Sequence, residues 1–241
     1  MIDGCAVQVS VTVPGSGELA TVLRPLHARP PGSVPGAVHC HGRLGNETEA
    51  IEFDTSKTGR ASHALGEVLP TVTPRMGGPS TGSTDVAMTA LGHAVAYAKT
   101  ISGYSSKVVL SGLSAGAPLA FRWALANPTQ VAGIVSVIGV ADTDEMYDDP
   151  EWTAIIDAIY GGRPGSVHNP SANVAAIAAL GVPVFIDYST DDEALNPATQ
   201  AAFAAALATA GADVTVATHT GGHTLTAFDK APLVDWLTRL A

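Results

Sequence analysis

A serine, a carboxylate and a histidine, three side chains that can act together in nucleophilic catalysis, occur in this order along the sequence. The serine is Ser114, the central residue of the pentapeptide GLSAG at 112–116, which fits the pattern G-x-S-x-G. A serine hydroxyl is a weak nucleophile unless an imidazole accepts its proton and an acid orients that imidazole. The pattern therefore predicts a nucleophile only if a suitable histidine and acid follow.

The residues around Ser114 make the pattern more specific than five letters alone. An apolar run at 107–111 (KVVLS) predicts a buried strand directly before it, and residues 115–126 predict a helix directly after it. A strand, a sharp turn and a helix are the setting in which a nucleophilic serine is presented at the edge of a sheet. An ordinary glycine-rich turn is the alternative, whereas a phosphate-binding loop with the pattern G-x-x-x-x-G-K-[ST] has no match.

The elements that must position this turn alternate regularly along the chain. After an opening hairpin, predicted strands lie at 37–39, 68–73, 107–111, 131–140, 184–188 and 214–218. Predicted helices lie at 61–67, 85–101, 115–126, 152–160, 173–180, 197–210 and 232–240. The alternation predicts an α/β fold with a mostly parallel central sheet and helices on both faces. Hydrophobic residues make up 46% of the chain, enough for strands that are buried on both sides.

With this order of elements, the sequence resembles an α/β-hydrolase from end to end. The segments NPS at 169–171 and VPV at 182–184 resemble its esterase-like group, related to dienelactone hydrolase and to the catalytic domain of the prolyl oligopeptidase type. The resemblance implies the α/β-hydrolase fold in a single domain, 1–241, with a small cap insertion at about 141–180. It also implies a triad in the order serine, acid, histidine.

The resemblance places the acid in the loop after the strand at 184–188. Asp192 takes this position if Ser189 stands where the family usually has glycine; Asp191 and a purely surface acidic turn are the alternatives. The base should follow the strand at 214–218, where His223 comes directly after a glycine, as the family's histidine usually does. His219 is the alternative for the base.

A third motif, HCHGR at 39–43, ends the predicted strand at 37–39. In the family, a His-Gly pair here precedes a residue whose backbone N–H faces the oxyanion, which implies the N–H groups of Arg43 and Ala115 as the oxyanion hole. His39 and His41 could instead chelate a metal, but no H-E-x-x-H or cysteine cluster completes a set. Neither a metal nor a cofactor is therefore expected.

The cap region combines acidic and apolar residues. Its acidic residues at 142–151 lack the D-x-[DN]-x-[DN]-G calcium loop and are typical of a solvated face, and Asp149-Pro150-Glu151 is a plausible helix start. Its larger apolar residues either line an acyl pocket or form core beneath the cap. These residues are Met146, Trp152, Ile155 and Tyr160.

Composition limits the partners. With 12 basic and 22 acidic residues, the formal net charge is −10, which argues against binding to nucleic acid or to an anionic membrane surface. No apolar run reaches the roughly 18 residues of a membrane span, and no signal peptide is evident, so a cytoplasmic location is the default and an extracellular one applies if this is an excised domain. Cys5 and Cys40 are expected to be free and buried.

Together these features predict a serine hydrolase that cleaves a carboxylic ester through an acyl-enzyme, with Ser114, Asp192 and His223 as triad. The substrate is expected to be a small-molecule or surface-linked ester. Two alternatives remain open: a serine peptidase or amidase on the same fold, and a non-catalytic binding module. The sequence specifies neither the acyl and alcohol parts of the ester nor the oligomeric state.

Overall fold

The structure is a computed structural model that describes residues 5–27, 30, 32–42, 59–75, 82–103 and 105–241. The strands are β1 (Cys5–Thr12), β2 (Leu19–Pro25), β3 (Gly36–Cys40), β4 (Thr71–Pro74), β5 (Val108–Leu113), β6 (Val131–Val137), β7 (Val184–Ser189) and β8 (Val214–His219). They form one sheet in the order β1-β2-β4-β3-β5-β6-β7-β8, in which only the pairs made by β2 are antiparallel. The predicted fold class is confirmed.

Helices cover both faces of this sheet. They are α1 (Gly59–Val68), α2 (Asp85–Ile101), α3 (Ala117–Ala126), α4 (Thr143–Asp148), α5 (Pro150–Tyr160), α6 (Val174–Ala179), α7 (Pro197–Thr209) and α8 (Ala231–Leu240). Successive residues of β5 alternate between two hydrophobic clusters, as the pleat of a strand requires. One cluster holds residues of α2, α3, α6 and α7, and the other holds residues of α1 and α8.

The register of the sheet brings the predicted site residues to one edge. Cys40 at the end of β3 pairs with Gly112, and Ser189 at the end of β7 pairs with His219 at the end of β8. Because these strands are parallel, the loops that follow them all emerge at the carboxyl edge, where open α/β sheets place their ligand sites.

Among the predicted boundaries that differ from the structure, three have a clear local reason. The strand predicted at 68–73 begins only at Thr71, because α1 continues to Val68. The strand predicted at 131–140 ends at Val137, because Ile138 has a positive φ of 38° that an extended strand cannot accommodate. The helix predicted at 115–126 begins with a 3-10 turn, Ser114–Gly116, before α3.

The cysteine prediction is confirmed: Cys5 and Cys40 are free and buried. Cys5 lies on β1 and Cys40 on β3, with β2 and β4 between them in the sheet. Strands are spaced about 4.8 Å apart, so the two sulfur atoms are too far apart for a disulfide. Among the described helices, none combines the length and the apolar character needed to cross a membrane.

Candidate active site

Ser114 stands on a strained turn at the carboxyl end of β5. Its φ of 49° lies in the left-handed region, where a residue other than glycine costs about 1–3 kcal/mol. The flanking glycines are required by close packing: a Cβ at Gly116 would overlap the carbonyl oxygen of Cys40, and a Cβ at Gly112 would overlap the backbone of Ala117. The G-x-S-x-G pattern thus reflects a turn pressed between β3 and α3, which leaves the Ser114 side chain partly exposed.

The side chains of Ser114, His223 and Asp192 form a hydrogen-bonded chain. The Ser114 Oγ lies 2.9 Å from Nε2 of His223, and Nδ1 of His223 lies 2.8 Å from Oδ2 of Asp192. The Asp192 side chain is only 2% exposed and that of His223 is 22% exposed. If Nδ1 donates to the carboxylate, Nε2 is left with a lone pair that can accept the Ser114 proton.

Asp192 is held in its ionised form by its surroundings. Burial opposes ionisation, but the hydrogen bond with the His223 ring outweighs it, together with the N–H groups of Leu195 and Ala194, which each donate to Oδ1 at 2.9 Å. The net effect lowers the pKa of the Asp192 carboxyl below its ordinary value. A carboxylate is therefore in place to orient His223 and to stabilise an imidazolium.

Asp191, the alternative acid, bonds elsewhere. Its Oδ1 accepts the Ser189 hydroxyl at 2.7 Å and the backbone N–H groups of Gly221 and Gly222 at 2.8 and 3.1 Å. It therefore contacts the backbone of the loop that carries His223, whereas Asp192 contacts the ring.

His219, the alternative base, belongs to a second and fully buried acid–imidazole pair. Its Nδ1 lies 2.7 Å from Oδ1 of Asp187, and its Nε2 faces the Thr224 carbonyl oxygen at 3.1 Å. Burial raises the pKa of the Asp187 carboxyl; burial also opposes a charge on His219, but the contact with Asp187 outweighs it and raises the pKa of the imidazole. Removing one partner of such a pair typically costs about 3–5 kcal/mol.

Sequence reasoning assigned no role to Asp187. The sequence did place a carboxylate within a mostly apolar, buried strand, β7. A buried carboxylate needs a partner, so this position could have indicated an ion pair. The partner could not be read from spacing, since it depends on the register that sets Asp187 diagonally across from His219. The pair anchors the end of β8 and, through the Thr224 carbonyl, the loop that carries His223.

The proposed oxyanion donors are only partly described. Ala115 lies beside Ser114 in the wall of a cleft, and Gly42 from the end of β3 lines the same cleft. Arg43 lies outside the described residues. Burial raises the pKa of the nearby Cys40 thiol, which keeps this sulfur protonated and poorly nucleophilic.

The two histidines of the HCHGR motif contact hydroxyl and carbonyl oxygens close to the end of β3. Nδ1 of His39 lies 3.1 Å from the Ser111 hydroxyl. The two nitrogens of His41 face the carbonyl oxygens of Gly42 at 2.9 Å and Arg75 at 3.2 Å. These contacts tie the end of β3 to β5 and to the end of β4, which fixes the strand beside the nucleophile.

An apolar cleft of about 220 Å³ opens on Ser114 and His223. Its wall consists mostly of hydrophobic side chains from the ends of β5 and β6, from the predicted cap segment and from the loop after β7. They include Leu113, Ile138, Val140, Met146, Trp152, Ile155, Ile156, Ile159, Tyr160 and Leu195. All four cap residues whose role the sequence left open therefore lie on the wall of the cleft.

Acidic side chains cap two of the helices in the predicted cap segment, α4 and α5. Asp149 caps α5 by accepting the Glu151 N–H, as predicted, and Gly161 ends the helix at a φ of 75°. Helix α4 was not predicted; Asp142 caps it by accepting the N–H groups of Asp144 and Glu145. The acidic run is thus partly structural rather than only a solvated face.

A polar network also missed by the sequence ties the cap to the start of α2. The Tyr160 hydroxyl accepts the Ser83 N–H at 2.9 Å and lies 3.1 Å from the Ser83 hydroxyl, which in turn lies 2.9 Å from Nδ1 of His168. The Tyr160 and His168 rings also contact each other, with centroids 4.7 Å apart. These contacts join residues far apart in sequence and fix one wall of the cleft.

Known proteins share the sequence pattern and the fold of this chain. A model described as the dienelactone hydrolase family matches residues 76–232. Fluorophosphonate-binding serine hydrolase F of Staphylococcus aureus superposes with a TM-score of 0.73 at 18% identity, covering 98% of both chains. Esterase B of Lactobacillus rhamnosis gives 0.74 at 12% identity, covering 99% of this chain and 89% of that one. No curated protein sequence matches the chain significantly.

A peptidase shares the fold as part of a larger chain. Acylaminoacyl peptidase of Pyrococcus horikoshii superposes with a TM-score of 0.67 at 11% identity, and the match covers 98% of this chain but only 40% of the peptidase. At these identities the likeness concerns the fold, so the choice between ester and amide chemistry depends on the site itself.

Proposed function

The chain belongs to the dienelactone hydrolase family, and from this membership we propose that it cleaves carboxylic esters through an acyl-enzyme formed on Ser114. The observation that carries the proposal is the hydrogen-bonded chain of Ser114, His223 and Asp192, which opens on an apolar cleft. A hydroxyl, an imidazole and a buried carboxylate in this order form an activated nucleophile.

In the proposed reaction, Ser114 Oγ attacks the ester carbonyl while Nε2 of His223 takes the hydroxyl proton. The N–H of Ala115, and by family resemblance that of Arg43, would donate hydrogen bonds to the oxyanion. The bond to the alcohol oxygen then breaks as His223 returns the proton to it, which leaves the acyl group on Ser114. Water repeats the two steps, releasing the acid and restoring the serine. No cofactor takes part.

The cleft supports a neutral acyl group of short to medium length. Its volume of about 220 Å³ lies below the roughly 300–1,000 Å³ of drug-sized pockets. Among the described residues of its wall there is no lysine or arginine. A charged acyl chain would therefore lose its hydration without gaining a counter-charge from these residues.

The peptidase alternative is less well supported by the cap. A peptidase that acts near a chain end usually needs a charged group that pairs with the terminal amine or carboxylate of the peptide. Among the described residues of the cap segment, the arginine that could serve as such a group is Arg163. Its guanidinium already pairs with Asp148 and Asp144 and lies 4.7 Å over the Tyr147 ring.

We expect short- to medium-chain p-nitrophenyl esters to be turned over with a kcat/KM at least about 1,000-fold above that of matched anilides, a gap of roughly 4 kcal/mol in barrier. An anilide nitrogen must be protonated by His223 as it leaves, whereas p-nitrophenolate is a good leaving group, so the anilide demands more precise positioning of the substrate. The two series should be compared at equal acyl length, with Ser114→Ala measured to subtract background hydrolysis. Comparable kcat/KM for a matched ester and anilide would favour the peptidase instead.

A further inference from the structure

Three consecutive carboxylates meet three consecutive residues of the loop that carries His223. Asp191 accepts the backbone N–H groups of Gly221 and Gly222 at 2.8 and 3.1 Å. Asp192 contacts the ring of His223. Glu193 accepts the backbone N–H of His223 itself, with its Oε2 at 3.0 Å. The acidic loop after β7 thus holds the backbone as well as the ring of the proposed base.

This loop needs such support because its backbone is weakly constrained. Gly221 and Gly222 have positive φ values of 111° and 71°, and glycine loses more conformational freedom on ordering than any other residue. A Cβ at position 222 would overlap the Glu193 carboxylate, so a larger residue there would displace the end of the Glu193 side chain. The glycine pair lets the carboxylates approach the backbone, and the carboxylates then fix the glycine pair.

The ionisation of Asp191 suits this role. The Ser189 hydroxyl and the backbone N–H groups of Gly222 and Gly221 lower the pKa of its carboxyl below the ordinary value. An ionised carboxylate only accepts hydrogen bonds, so its oxygen remains available to these N–H groups at neutral pH.

Both flanking carboxylates are exposed, which decides what they can contribute. Exposed charged contacts add little to the free energy of unfolding. Catalysis is more sensitive, because a displacement of about 1 Å in a reacting group can cost about 100-fold in rate. Their contribution should therefore appear in turnover rather than in stability.

We propose that Asp191 and Glu193 are positioning residues, which hold the backbone of residues 221–223 so that Nε2 of His223 stays within reach of Ser114. The inference rests on the proposed function, because it assigns no role outside the Ser114 reaction. In this view all three carboxylates of the acidic loop hold the base in place, and not Asp192 alone.

The test compares alanine with the isosteric amide at each position. Glu193→Ala and Asp191→Ala remove the acceptor, whereas Glu193→Gln and Asp191→Asn keep an acceptor oxygen of the same reach. Asp213→Ala is the matched control, since Asp213 is an exposed carboxylate that precedes β8, at the opposite edge of the sheet. We would measure kcat and KM for a p-nitrophenyl ester, with active sites counted by fluorophosphonate titration so that misfolded molecules are excluded.

We expect each alanine variant to lower kcat per active site about 10- to 100-fold, with little change in KM. Each amide variant should recover most of that loss. The control, Asp213→Ala, should match the unmodified enzyme. Wild-type kcat in both alanine variants, or equal losses in alanine and amide, would overturn the positioning role alone. Absence of Ser114-dependent turnover in the unmodified enzyme would instead overturn the proposed function, and this inference with it.

Discussion

Replacing Ser114 by alanine is expected to lower kcat/KM for the best p-nitrophenyl ester on the order of 10⁶-fold, which is the scale seen when the nucleophile of such a triad is removed. Without its hydroxyl the site cannot form the acyl-enzyme. What remains is binding in the cleft and the oxyanion donors, which support only a small residual acceleration. The measurement is steady-state turnover, with the thermal midpoint followed in parallel.

The fold should tolerate this change, because alanine and serine both carry a Cβ. The positive φ at this position therefore costs about the same with either residue. Ser106→Ala is the matched control, since Ser106 is exposed and precedes β5 at the edge opposite to the cleft. It should retain full activity. Turnover in Ser114→Ala comparable to that of the control would assign the nucleophile to another residue.

Replacing Asp192 by asparagine is expected to lower kcat on the order of 10⁴-fold, with a much smaller change in KM. The side-chain amide can donate to Nδ1 of His223, which places the remaining ring proton on Nε2. That nitrogen then faces Ser114 as a donor and cannot accept the hydroxyl proton. The volume of the side chain is nearly unchanged, so the loss would reflect protonation rather than packing.

Asp191→Asn serves as the matched substitution one residue away. It removes the same charge but keeps an oxygen that can accept the N–H groups of Gly221 and Gly222, so its kcat should fall far less. A large loss in Asp191→Asn together with a small one in Asp192→Asn would move the acid of the triad to Asp191.

The sequence could predict features whose cause is local. The turn at Ser114 is one of them: Gly112 is required by the close approach of the Ala117 backbone, five residues later, so strand, turn and helix were recognisable together. The start of α5 was likewise predictable, because Asp149, Pro150 and Glu151 satisfy the free N–H groups of that helix by themselves. Apolar runs such as β5 indicated a buried central sheet without any knowledge of its strand order.

Features that depend on distant residues were not predictable. Asp187 and His219 meet because of the β7–β8 register, and Ser83 meets Tyr160 across 77 positions of sequence. Helix α4 was not predicted because its six residues are too few to show a helical pattern of apolar positions, and its stability depends on the Asp142 cap. The choice between Asp191 and Asp192 rested on family register, because both carboxylates lie within reach of the same loop.

The central claim, that Ser114 is the nucleophile, is tested most directly by the intact mass of the protein after reaction with a fluorophosphonate. The account predicts a single adduct on the unmodified chain, located on the peptide that contains Ser114, and none on Ser114→Ala. Pre-incubation with a good ester substrate should slow the labelling, since both reagents would compete for the same hydroxyl. An adduct of the same size on Ser114→Ala, or on another residue of the unmodified chain, would contradict the account.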